Sequence, residues 1–196
     1  MDLKNTKERF GIIAMSLHWI VAFLFLGLYL SVYFRHWFTE PKTDLNWTAL
    51  QLHLSFGITV MVFIGLRIAY KLFDQSPEEV PGSKLEHLAA KGAHYMLYAV
   101  MIVMPITGYF GTGVNTEFFG LFEIPKFKDT EAYNFIVVNI LGISWEAFET
   151  PLDFVHKKGG SFFVWLLIGV HVAAALFHHF HRKDNTLRRM LPVKLK

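Results

Sequence analysis

The sequence predicts an all-α integral membrane protein: a four-helix bundle with both termini cytoplasmic and a long periplasmic loop between helices three and four. Three observations predict it. Of the 196 residues, 53% are hydrophobic and 16% aromatic, too apolar for a soluble domain of this length. The apolar residues are gathered into four blocks, and about 20 such residues cross a bilayer as a helix. The Lys and Arg residues are concentrated at one end of these blocks, as the positive-inside rule requires.

The first block, residues 11–34, follows Lys4, Lys7 and Arg9. Its apolar core is too long for a signal peptide and no small-residue cleavage site follows, so it reads as an uncleaved anchor. The second covers residues 48–73. The third, residues 94–111, is short and contains Pro105, which is expected to kink it. The fourth covers residues 159–180. Thirteen Lys and Arg residues lie on the side of the termini and six on the other, which places both termini in the cytoplasm. The chain reads as one membrane domain, residues 1–196. Its one sizeable piece outside the spans is the loop at about 112–158, where residues 133–148 are expected to form a short helix across the bundle mouth.

The absence of cysteine excludes disulfides, thiolate-ligated haem, iron–sulfur clusters and covalent c-type attachment. Nothing resembles a nucleic-acid module, and the basic residues are explained by membrane topology. Ten histidines in so apolar a chain are the anomaly, because an unsatisfied imidazole in hydrocarbon is costly. Their depths are informative. At 1.5 Å per residue, His18 lies roughly 13 Å in from Arg9 and His171 roughly 15 Å before His181, so the two share a depth near the cytoplasmic face. His53, just inside span two, and His156, where span four begins, share a depth near the other face.

Two imidazoles on different helices at one depth suit axial ligation of a flat macrocycle, the requirement of a b-type haem. The pairs His18/His171 and His53/His156 are therefore candidate ligands of two non-covalent haems about 20 Å apart along span four. A single histidine in a span is more ordinarily a polar residue bonding a neighbouring helix; the matching of four by depth is what favours ligation. Arg67 and Lys71 are candidates for propionate contact, although topology alone would also put basic residues there. His94 and His178 are candidate site residues. His179 and His181 suit the headgroup boundary, and His36 and His87 read as surface residues.

The stretches "SLHW", "LHLSFGI", "HYMLYAVMIVMPITGY" and "GVHVAAALFHHFHRKDNTLRRMLP" resemble the bacterial di-haem cytochrome b-561 family of the superoxide-oxidase type. The likeness spans nearly the whole chain apart from the long outer loop, and the last stretch is the most distinctive. It implies His18 and His171 as ligands of an inner haem, His53 and His156 as ligands of an outer haem, and quinone contact at His178; His94, at the cytoplasmic start of span three, is a further candidate for quinone contact. One departure stands out. His156 and His171 are fifteen residues apart in this chain, where the family pattern has fourteen, so His156 must sit on a loop or the helix must hold a local bulge.

The function implied is transfer of electrons between a periplasmic redox partner, superoxide among the candidates, and ubiquinone in the membrane. The outer side carries nine acidic against six basic residues, whereas a superoxide funnel would be positive; only Lys157 and Lys158 beside His156 offer local positive charge. Two alternatives stay open. One is a quinone-linked haem anchor for a partner dehydrogenase docking on the acidic loop. The other is a proton or metal-ion transporter lined by histidines.

Overall fold

A computed structural model describes residues 2–195. Four of its helices are long and apolar enough to cross a membrane: Ile12–Phe38, Asp44–Phe73, Lys84–Gly111 and Trp145–Arg182. The first three are α1, α2 and α3. The fourth is built from α5 (Trp145–Lys158), a π-helical segment Gly159–Phe163, α6 (Val164–Phe177) and a second π-helical segment His178–Arg182. Between α3 and α5 lie a two-stranded antiparallel hairpin, β1 (Thr116–Phe118) and β2 (Phe122–Ile124), and a short helix that begins as α4 (Glu131–Tyr133) and continues as a π segment to Leu141.

Each spanning helix is longer than its hydrophobic block. At 1.5 Å per residue, the 27 residues of α1 extend about 40 Å, more than the roughly 30 Å hydrocarbon core. Phe23, Leu26 and Leu30 are exposed along one stripe of α1, the surface a lipid-facing helix presents. Helix α3 starts ten residues earlier than its apolar block because Ser83 and Glu86 form a reciprocal cap: Glu86 N–H donates to Ser83 Oγ (3.3 Å) and Ser83 N–H to Glu86 Oε2 (2.7 Å). It runs through Pro105 as one helix.

The segment expected to be loop at 112–158 is largely structured, and its second part is helix. Residues 133–148 do not form one helix. The short helix ends at Gly142, which has φ +64°, a left-handed conformation suited to glycine. A new helix then starts at Trp145, capped by Ser144 Oγ accepting the Ala147 N–H (3.2 Å). Helix α5 carries Glu146, Glu149, Asp153, Lys157 and Lys158, so a hydropathy reading assigns it to the outside although its backbone is continuous with the span.

The chain divides into two compact units. One comprises Met1–Val21, Phe63–Met101 and Phe162–Lys196. Here the amino-terminal segment is tied down by Asn5, whose N–H donates to Asp74 Oδ2 (2.9 Å) and whose side chain donates to Gln75 O (2.7 Å). The carboxy-terminal tail folds back on α1: Trp19 Nε1 donates to Met190 O (2.7 Å) and Arg9 Nη2 to Leu191 O (2.8 Å). The other unit comprises Ala22–Val62 and Ile102–Ser161. Its core is aromatic, with Phe127, Tyr133 and Val137 buried under Phe110, Trp145 and Phe148. The hairpin is gripped by α2, where buried Gln51 accepts the Glu117 N–H (2.7 Å) and buried Ser55 accepts the Phe119 N–H (3.0 Å).

Candidate functional site

The four histidines paired by depth are brought together two by two. His53, on α2, and His156, on α5, have ring centroids 6.1 Å apart at an interplanar angle of 81°. His18, on α1, and His171, on α6, have centroids 6.2 Å apart at 57°. An imidazole nitrogen binds a first-row metal ion at about 2.0–2.1 Å, with the ring centroid about 1.1 Å further back, so two rings on opposite sides of one ion are about 6 Å apart. Both spacings fit that requirement.

The hydrogen bonds of the two pairs differ. His53 Nδ1–H donates to Leu28 O (3.0 Å) and His156 Nδ1–H donates to Met104 O (2.9 Å). Each ring is thereby fixed as the tautomer with its lone pair on Nε2, the arrangement of a metal-ligating histidine oriented by its other nitrogen. Gly108, one turn after Met104, makes room for His156: a Cβ there would lie 2.8 Å from the ring Cε1. Close approach of α3 to this ring thus requires glycine. In the other pair, His18 Nδ1 is buried with no partner among the described residues, a state costing about 1–3 kcal/mol if left so.

Helix α5 and α6 meet at the π segment Gly159–Phe163. A π turn closes i→i+5 and takes one residue more than an α turn. It is the bulge that the fifteen-residue interval between His156 and His171 demanded: one residue is absorbed, and the remaining fourteen are close to four α turns. The alternative, His156 on a loop, is corrected by its place in α5. Within this turn Gly160 O accepts a hydrogen bond from Tyr29 O–H (2.8 Å).

His94, on α3, stands beside His171, with centroids 5.6 Å apart, and its Nδ1–H donates to Ala90 O (2.7 Å). Arg67 and Lys71 converge on Tyr98, with Cζ 5.6 Å and Nζ 4.3 Å from the ring centroid, within cation–π range. Tyr98 was missed by the sequence reading, although its place four residues after His94 puts both on one face of α3. His178 Nδ1–H donates to Asp184 Oδ2 (2.5 Å); Asp184 was also missed. Lys157 is paired with Asp153 at 2.5 Å. Among the described residues, no group of three or more His, Cys, Asp or Glu converges as a metal-ion site.

Comparison with known proteins agrees. The family described as "Prokaryotic cytochrome b561" matches residues 9–193. The chain is 29% identical to "Cytochrome b561 homolog 2" of Escherichia coli (strain K12), covering 97% of this chain and 95% of that protein. It is 30% identical to "Probable superoxide oxidase CybB" of Yersinia pestis, covering 95% and 98%. It is 29% identical to "Cytochrome b561 homolog 1" of Escherichia coli (strain K12), covering 94% and 98%. Four apolar spans, paired imidazoles and a family match over nearly the full length lead to one conclusion: the chain belongs to the prokaryotic cytochrome b561 family, multi-pass proteins of the bacterial inner membrane in which b-type haem serves transmembrane electron transfer.

Proposed function

We propose that this protein holds two b-type haems, one between His53 and His156 and one between His18 and His171, and moves electrons between a periplasmic redox species and membrane ubiquinone. The observation that carries the reading is the pair of ring spacings, 6.1 and 6.2 Å, each matched to a single metal ion between two nitrogens. Bound haem supplies a reversible one-electron centre; the protein supplies ligation, orientation and exclusion of water. Leu28 O and Met104 O hold the His53 and His156 rings. Arg67 and Lys71, gathered on Tyr98, offer cations to the propionates of the haem at His18 and His171. His94 and His178 are assigned to quinone contact on the cytoplasmic side. Both termini are cytoplasmic in this reading, on the basic-residue asymmetry, and the region between α3 and α5 faces the periplasm.

The test is a reduced-minus-oxidised spectrum with haem quantitation on the purified protein. Two haems per chain are expected; a preparation saturated at one, or none, refutes the assignment. Among outer electron sources, superoxide is supported by the similarity to a probable superoxide oxidase. Stopped-flow mixing with superoxide should reduce the haems faster than the uncatalysed background. A rate no faster than background favours a partner redox protein docked on the acidic outer region, with this chain as its quinone-linked anchor. A transporter lined by histidines would purify colourless.

A further inference from the structure

The end of the fourth spanning helix is built so that one carboxylate returns to one imidazole. The helix closes as a π segment, His178–Arg182, a feature concentrated at functional sites. Lys183 then takes a left-handed conformation, φ +55°, which is uncommon outside glycine and asparagine. This reversal brings Asp184 back along the helix: its N–H donates to His178 O (3.2 Å), and its Oδ2 accepts the His178 Nδ1–H (2.5 Å). Thr186 secures the carboxylate, its N–H donating to Asp184 Oδ1 (2.8 Å), and places Oγ1 3.3 Å from His178 Nδ1. The side chains of His178 and Asp184 keep 24% and 21% of their exposure, so the pair is part-buried yet in reach of water.

We propose that Asp184 is the positioning residue of a proton-delivery pair, holding His178 as the group that protonates the quinone reduced at this end of the molecule. This rests on the assignment of quinone to His178 in the preceding reading. Reduction of a quinone to a quinol takes two electrons, which the two one-electron haem centres of the preceding reading would supply one at a time, and two protons. For each proton, the imidazolium N–H of His178 breaks, the quinol O–H forms, and the ring is reprotonated from cytoplasmic water. Asp184 stays ionised throughout and stabilises the imidazolium. Burial pushes the Asp184 carboxyl up, but the bonds from His178 and Thr186 outweigh it and hold it below the ordinary aspartate value. The other titratable or charged groups of this turn are His179, His181, stacked on Phe177 at 4.9 Å, Lys183, and Arg182, paired with Glu86 of α3 at 3.2 Å.

The experiment uses the haem-loaded protein in proteoliposomes, with decylubiquinone as the probe. In Asp184→Asn the haem spectrum should be unchanged, while reoxidation of the reduced haem by decylubiquinone slows about 10²-fold at pH 8. The pH profile of the rate should change with it, because the imidazolium loses its counter-charge. Asp184→Glu should restore part of both. A 15N-histidine spectrum should show the Nδ1–H tautomer of His178 in the wild type and its loss in Asp184→Asn. If that variant fails to load haem, His178→Gln serves instead and should abolish the pH limb. Wild-type rate and pH profile in Asp184→Asn, or an intact limb in His178→Gln, would overturn the proposal alone. Failure of decylubiquinone to reoxidise the wild-type haem would overturn the quinone reading with it, and shows without any variant.

Discussion

Gly108→Ala is the sharpest test of the outer pair. The added Cβ would stand 2.8 Å from His156 Cε1 and 3.1 Å from Nδ1. Carbon atoms in contact lie about 3.5–4.0 Å apart, so the ring must retreat by about 0.7 Å. A shift of that size along the Nδ1–H···O bond to Met104 would carry 2.9 Å to about 3.6 Å, beyond hydrogen-bonding distance. Loss of such an orienting bond typically weakens metal binding about 10–100-fold, or roughly 1.4–2.7 kcal/mol. Intrinsic helix propensity works the other way, alanine being favoured over glycine by about 1 kcal/mol, so general weakening of α3 would not explain a loss. The variant should keep the haem at His18 and His171 and show depleted or shifted signal from the other. Haem quantitation and a redox titration resolved into two components are the assays. Two full haems with unaltered potentials in Gly108→Ala would refute the assignment of His156 as a ligand held by Met104.

Replacement of His18 or His171 by Leu should remove one haem and spare much of the other, and His53→Leu should do the converse; retention of both in either variant contradicts the pairing. Deleting Ser161 from the π turn restores an interval of fourteen between His156 and His171 and should leave both haems bound. Inserting one Ala there turns the following helix by about 100° and should cost a haem, read from the Soret absorbance per chain. Asp74, bonded by the Asn5 N–H and by Tyr70 O–H at 2.6 Å, is held below the ordinary aspartate value, the Asn5 bond first. Its contribution to stability is therefore complete above the unfolded-state pKa and disappears as pH falls through the lowered folded value. Asp74→Asn should flatten the acid side of a melting-temperature profile in detergent.

The four spans and the two histidine pairs were legible in the sequence because they depend on one coordinate, depth along a helix, which hydropathy and a fixed rise supply. The helix starts at Lys84 and Trp145 lay outside a hydropathy reading, since their first turns are charged. Yet Ser83 with Glu86, and Ser144 before Trp145, were readable as caps. The need for a bulge between His156 and His171 followed from counting; its position at Gly159–Phe163 depended on where α3 and α1 press on that turn, through Met104 against Gly159 and Tyr29 on Gly160. Asp184 was hidden because it reaches His178 only by a left-handed turn at Lys183, a residue with no preference for that conformation.

The acceptors that steady His53 and His156 are main-chain oxygens, and this has an evolutionary corollary. Exchanging the side chain of Leu28 or Met104 leaves the carbonyl in place, so drift at those positions cannot strip the imidazoles of their anchorage. The electron richness of those two donors is then inherited from helix geometry, whereas His178, braced by a carboxylate, stays open to retuning by a single codon.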